Sequence, residues 1–322
     1  MNTFNAPQQE ALERLGVIAT ANVSLAPYTT YRLGGAAAVF ALPRNDDDLQ
    51  LVAEVVRDTG LATLVVGRGS NLLIADAGFG GIAISLARMA EWVRFEDVVV
   101  HAGAAMALPV LARRCVAAGL VGFEWAVGVP GSLGGAVRMN AGGHGSDMAA
   151  SVVGVHLLDL RTTNHAWVTV DQLRLRFRGS DIAAHQVVVD AQLLLHRGDT
   201  EAAEATLTEI VRWRREHQPG GQNAGSVFVN PIPGQLAAAE LIDQLGLRGF
   251  RVGGAVVSDK HANFIQASEQ CTAADVRAVI EHVRAEVQRA AGVELRSEVT
   301  LVGFDDLAWA NDATSHHTGI AL

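Results

Sequence analysis

The sequence predicts an α+β fold, and three observations carry that expectation. Short β-branched runs and amphipathic stretches alternate along the chain, so strands and helices are interleaved. No G-x-G-x-x-G opens a helix after the first strand, which argues against a doubly wound dinucleotide fold. The glycine-rich motifs stand between strand-like runs instead.

Residues 1–24 read as a short helix and a linker. From Asn45 the pattern turns helical: Asn45 can cap, acids fill the first turn, and Leu49, Val52, Val55 and Val56 share one face. Gly60 is a natural stop. Thr63–Val66 is a short strand, followed by a glycine loop at Gly67–Asn71, with further strands at Ile82–Ser85 and Val98–His101. Leu108–Ala118 reads as a helix closed by Gly119. The segment Gly128–Gly135 is too rich in glycine for a regular element. Strands are expected at Val152–Leu158, Ala166–Val170 and Val187–Leu195, then a helix at Glu201–His217. Pro219-Gly220-Gly221 breaks that helix and marks a change of unit. A helix at 236–245 follows. The clearest element is 273–291, where Thr272 and Asp275 form a capping pair and Gly292 ends the helix. Its stripe is Val276, Val279, Ile280, Val283 and Val287. A last strand is expected at 298–304, and the tail from Asp305 is polar.

The 322 residues suffice for two or three domains, and 49% are hydrophobic, enough for sizeable cores. The formal net charge is -9 and lysines and arginines form no block, which speaks against a nucleic-acid partner. An anionic ligand therefore needs a local basic patch, and Arg212-Trp213-Arg214-Arg215 is a candidate, although such a cluster equally suits a solvated helix face. Cys115 and Cys271 have neither metal-ligand nor disulfide-framework spacing, which fits a reducing compartment. There is no secretory signal and no apolar run of about 18 residues, so no membrane insertion is expected. The chain reads as cytoplasmic and monomeric.

Several motifs could carry chemistry. Gly67-Arg68-Gly69-Ser70-Asn71-Leu72 can present successive backbone N–H groups to a diphosphate, although plain inter-strand turns share this composition. In Gly128–Gly142, reading GVPGSLGGAVRMNAG, Ser132 suits a phosphate and Asn140 a polar ring edge. In QNAGSVFVNP, Gly225 lets Ser226 sit on an exposed turn, but no G-x-S-x-G elbow makes it a hydrolase nucleophile. Arg178 follows the alternating Leu173, Leu175 and Phe177, and Glu298 opens the last strand; both could be ordinary surface residues. The histidines form no H-E-x-x-H, so metal catalysis has no support.

Each motif is weak alone, but their order is informative. From about residue 22 to residue 304 the chain resembles the UDP-N-acetylenolpyruvoylglucosamine reductases (UDP-N-acetylmuramate dehydrogenases, the MurB family). The matching segments are YTTYRLGG (Tyr28–Gly35), VGRGSNLL (Val66–Leu73), the Gly128–Gly142 loop and QNAGSVFVNP (Gln222–Pro231). They continue through LIDQLGLRG (Leu241–Gly249), GGAVVSDKHANFI (Gly253–Ile265) and LRSEV (Leu295–Val299). The resemblance implies an FAD-binding unit of two subdomains of the vanillyl-alcohol-oxidase (PCMH) type, followed by an α+β substrate-binding domain. The implied divisions are an N-terminal helix and linker at 1–21, subdomains at 22–86 and 87–200, the UDP-sugar domain at 201–304 and a tail at 305–322.

It also implies an activity: reduction of UDP-N-acetylenolpyruvoylglucosamine in peptidoglycan synthesis, with FAD as cofactor and NADPH as cosubstrate. Carried over by motif, Tyr31, Arg32, Gly67, Arg68, Gly69, Ser70, Asn71 and Leu72 would contact FAD, as would Gly131, Ser132, Gly135, Asn140 and Gly142. Arg178 would polarise the substrate carboxylate, Ser226 would give a proton to the carbanion, and a protonated Glu298 would stabilise the enol form. His217 and Asn230 would contact the substrate. Two positions depart from the family pattern, for Val229 and His217 stand where lysine is usual. The stretch Arg178–His196 is short and the only tyrosines are Tyr28 and Tyr31, so the chain looks like the second type of the family, which lacks an inserted loop with a substrate-covering tyrosine.

Overall fold

A computed structural model describes residues 4–304; the tail expected from Asp305 lies outside the described residues. Local chemistry accounts for the helix ends. Helix α1 (Ala6–Leu15) starts in a capping box of Asn5 and Gln8. In α2 (Asp46–Thr59) the Asn45 side chain accepts from Asp48 N, three aspartates fill the first turn, and Gly60 closes at φ 64°. The helix α3 spans Leu108–Ala117.

The glycine-rich Gly128–Gly135, expected to hold no regular element, runs into α4 (Leu133–Met139). Leu133, Ala136 and Val137 share a buried face, and Asn140 ends the helix in the left-handed region at φ 40°. Packing of that face outweighs the glycine content. A short α5 (Val170–Leu173) follows the strand His165–Thr169. Helices α6 (Thr200–His217), α7 (Ala238–Gln244) and α8 (Ala273–Ala291) complete the helical set among the described residues. Thr272 and Asp275 cap α8 reciprocally and Gly292 terminates it.

A four-stranded sheet has the order Ala19–Ser24, Ala36–Ala41, Phe79–Ile84, Thr63–Val65, with its last two pairings parallel. A five-stranded antiparallel sheet runs His165–Thr169, Val152–Asp159, Gln186–Leu194, Val99–Gly103, Val93–Glu96. The C-terminal part has a three-stranded antiparallel sheet, Arg251–Val252, Ala255–Val257 and Ile265–Ala267. The last strand is shorter than expected, Thr300–Val302, and lies parallel to Leu72–Ile74 beside the first sheet. Among the described residues no helix is long and apolar enough to cross a membrane.

Two large cores follow. One joins the first two sheets through residues such as Val39, Ile82, Val52, Val100, Val155 and Ala191. The other gathers the α8 stripe with Ala255, Val257 and Ile265, and draws in Tyr31, Leu33 and Leu73 from the N-terminal half. Each fully buried aliphatic side chain contributes about 1.5–3 kcal/mol, so this stripe does much to hold the C-terminal part together. A division at residue 201 is not what packing favours. Ala203, Leu207 and Ile210 of α6 belong to the first core, because its apolar face lies toward α3 and the segment Glu124–Gly128.

Candidate active site

The site is a cavity of about 630 Å3 between the first two sheets and the C-terminal part, within the ordinary range for ligand pockets. One wall is backbone. Gly67–Leu72 and Gly128–Gly142 line it, and a Cβ on Gly67 would collide with Ser132 Oγ. Gly69 adopts φ 55° and a Cβ there would run into the carbonyl of Tyr28. These loops can approach only because no side chains separate them.

The other wall is made by side chains from three distant segments. Arg178 sits on a tight turn closed by Arg176 N to Gly179 O (2.9 Å) and Gly179 N to Arg176 O (3.0 Å). It holds φ 58°, unusual for a side-chain-bearing residue, at the position where type II turns prefer glycine. Its Nη1 donates to Gly142 O at 3.2 Å, which ties the turn to the glycine wall.

Ser226 follows Gly225 (φ 75°), whose N–H donates to Asn223 Oδ1. Residues 227–229 then pair with 296–298: Glu298 N donates to Val227 O at 2.7 Å and Val229 N to Arg296 O at 3.0 Å. Asn263 fixes the same stretch, accepting from Phe228 N and donating to Phe228 O. This pairing places Ser226 and Glu298 in one wall with Arg178.

Arg178 Nε lies 3.0 Å from Glu298 Oε1. Its N–H is not aligned with that oxygen, so Nε is buried without a hydrogen-bond partner among the described residues. Burial pushes the Glu298 carboxyl above its ordinary range, while Arg178 and Arg296 pull it the other way; burial is the stronger effect. The guanidinium is therefore available to a second anion. Gln218 Oε1, from another wall residue, is buried and has no hydrogen-bond partner among the described residues. Arg214, half-buried in the same wall, has its pKa lowered by burial and no carboxylate at ion-pair distance among the described residues.

Residues 216–302 match the family described as UDP-N-acetylenolpyruvoylglucosamine reductase, C-terminal domain, and residues 37–165 match the FAD binding domain family. A UDP-N-acetylenolpyruvoylglucosamine reductase of Heliobacterium modesticaldum is 44% identical over 278 residues, 86% of this chain and 88% of the relative. The chain belongs to the UDP-N-acetylenolpyruvoylglucosamine reductase family. The Bacillus subtilis reductase is 35% identical over 298 residues, covering 92% of this chain and 97% of that protein. The crystal structure of the Thermus caldophilus reductase superposes with a TM-score of 0.74 at 30% identity, covering 87% of this chain and 98% of that one. The fold is accordingly an FAD-binding PCMH-like unit with a C-terminal substrate-binding domain, as the sequence led us to expect. A glycine wall facing polar atoms that have no partner among the described residues suits a flavin dinucleotide.

In this reductase-family chain most of the motif residues meet at the cavity. Arg68, Gly69, Ser70, Asn71, Leu72, Gly131, Ser132, Gly135 and Gly142 line it beside Gly67, Arg178, Ser226 and Glu298. Five expected contacts are not in the wall. Tyr31 is fully buried in the second core, and burial raises its pKa, opposed by the backbone of Ala224. Arg32 is exposed and donates to Pro27 O. Their segment acts from behind, where Thr30 N donates to Gly69 O. Asn140 instead knots the site together: its side chain donates to Asp147 Oδ2 and Arg176 O and accepts from Ala149 N. Asn230 accepts from Ala238 N at the start of α7. His217 is exposed and stacked on Trp213 at 4.5 Å. Val229 is buried.

Sequence reasoning missed several positioning residues. Asn71 was expected only as a loop donor, yet its side chain donates to Glu298 O at 2.8 Å. Asp76 accepts from Ala273 N and Ala274 N at the start of α8, joining the first sheet to the C-terminal part. A lone aspartate nearly 200 positions from the helix it caps leaves no local signal.

Proposed function

We propose that this chain reduces the enolpyruvyl group of UDP-N-acetylglucosamine enolpyruvate to UDP-N-acetylmuramate in peptidoglycan synthesis, taking its electrons from NADPH. The observation that carries the reading is the meeting of Arg178, Ser226 and Glu298 in one cavity whose facing wall is the glycine backbone. Bound FAD supplies a two-electron relay between NADPH and the enolpyruvyl group. Gly67–Leu72 and the Gly128–Gly142 loop, which line the cavity, would hold it through backbone donors.

The substrate carbon that must be protonated lies next to its own carboxylate, where negative charge gathers once the terminal carbon is reduced. Arg178 grips that carboxylate with its unused Nε–H. Burial shifts Glu298 toward its protonated form, and in that form it donates a hydrogen bond to the same carboxylate and favours its enol form. Ser226 gives its hydroxyl proton to the carbanionic carbon, which is a far stronger base than the serine oxygen, and recovers a proton from solvent. Arg214 offsets the diphosphate of the nucleotide sugar or of NADPH. His217 and Asn230 stand outside the cavity wall, His217 stacked on Trp213 and Asn230 accepting from Ala238 N at the start of α7.

Absorbance of the FAD-loaded protein tests the reading. The flavin band should bleach on anaerobic addition of NADPH and return when the enolpyruvyl sugar is added. Bleaching with no substrate-dependent return refutes the assigned reaction, and rapid turnover with oxygen points to an oxidase.

A further inference from the structure

Arg138 is a charge in the cavity that the reaction above does not use. It stands at the C-terminal end of α4, and its backbone carbonyl accepts from Ser180 Oγ at 2.7 Å. The residue lines the cavity, and its guanidinium makes one hydrogen bond among the described residues, Nη1 to Ala183 O at 3.1 Å. No carboxylate lies at ion-pair distance among the described residues, and burial lowers its pKa. Most of its donors are therefore unused. A guanidinium withdrawn from water without a counter-charge is strongly disfavoured unless an anion joins it.

The position says which anion. The start of α4 is at Ser132, where the two glycine loops meet, and α4 runs about 10 Å along the cavity to Arg138. Ala183 and Ser180, which hold Arg138, lie between the turn of Arg178 and the strand Gln186–Leu194, and Ile182, Ala184 and Gln186 continue the same wall. None of these residues comes from the C-terminal part that carries Ser226 and Glu298. Arg138 is thus held by segments of the sheets that precede the C-terminal part, on the helix that starts at the glycine wall.

We propose that Arg138 is the counter-ion for an anionic group of the bound FAD, either its diphosphate or its ring in the negatively charged reduced state. The inference rests on reading the cavity as the FAD site. The unsubstituted protein, stripped of FAD and titrated with it, tests that reading separately, since failure to bind there dismisses the site and not Arg138 in particular. Arg138→Met and Arg138→Gln remove the charge; Gln keeps a donor for Ala183 O and protects the fold.

If the partner is the diphosphate, both variants bind oxidised FAD roughly 10- to 100-fold more weakly, with a shallower salt dependence and an unchanged midpoint potential. If it is the reduced ring, oxidised FAD binds normally and the two-electron midpoint falls by about 30 mV for each tenfold loss of preference for the reduced form. Arg138→Lys restores part of either effect. If FAD affinity, salt dependence and potential all match the unsubstituted protein, Arg138 is a clamp on the 180–183 segment only and the proposal is overturned.

Discussion

The two walls of the cavity are made of different material. The Gly67–Leu72 and Gly128–Gly142 wall offers main chain, and its shape depends on side chains being absent, as the collision awaiting a Cβ on Gly67 shows. The Arg178, Ser226 and Glu298 wall offers side chains, held by a turn with an arginine at φ 58° and by pairing of residues 227–229 with 296–298. Changes to the first wall should therefore act on cofactor binding and stability. Changes to the second should act on the chemistry and leave the cofactor in place.

The sharpest test of that division is Ser226→Ala. Reduction of the enolpyruvyl sugar should fall by about 10²–10⁴-fold while flavin bleaching by NADPH keeps its rate. Stopped-flow absorbance separates the two half-reactions, and equal losses in both would break the comparison. Next comes Arg178→Lys, which keeps the charge but loses the planar fork. The kcat/KM for the enolpyruvyl sugar should drop by roughly 10²-fold with FAD content unchanged; loss of FAD instead would assign Arg178 to the wrong wall.

Gly67→Ala probes the backbone wall. It should cost about 1–3 kcal/mol of stability and weaken FAD binding, with partial recovery when Ser132→Ala is added, because the two positions share one contact. Denaturant melts with and without FAD check this, and an additive double variant would remove the steric explanation.

A smaller effect concerns pH. Glu298 has a raised pKa in the folded protein, so the folded state holds the proton more tightly than the unfolded chain. Its stabilising contribution is complete below the ordinary carboxyl range and is lost as pH rises through the folded value. Melts from acid to neutral pH should show the protein losing stability relative to Glu298→Gln as pH rises, by about 1.4 kcal/mol for each factor of ten by which folding tightens proton binding. A pH-independent difference would mean Glu298 is ionised as readily as in water. The smallest effect expected is from Asn71→Ala, about 1 kcal/mol, from losing the tie between the Gly67–Leu72 loop and Glu298 O.

Legibility in the sequence followed the range of the interactions involved. Helix α8 was readable to within a residue because its cap, its stripe and its stop are all local. The helix within Gly128–Gly142 was not, because its buried face shows only once Leu133, Ala136 and Val137 have something to pack against. Arg178, Ser226 and Glu298 were readable as motifs. Nothing local to Asn140 or Asp76 suggested that they cross-link segments.

By itself, then, the sequence determined the order of elements, the glycine loops and the types of side chain available for the chemistry. These depend on backbone preference and on spacing between near neighbours. Only the tertiary structure decided that Tyr31 and Asn230 support the site from outside its wall, and that Arg138 and Arg214 face the cavity with no carboxylate partner among the described residues. Burial and pairing across long stretches of chain are set by packing, and packing exists only once every segment is in place.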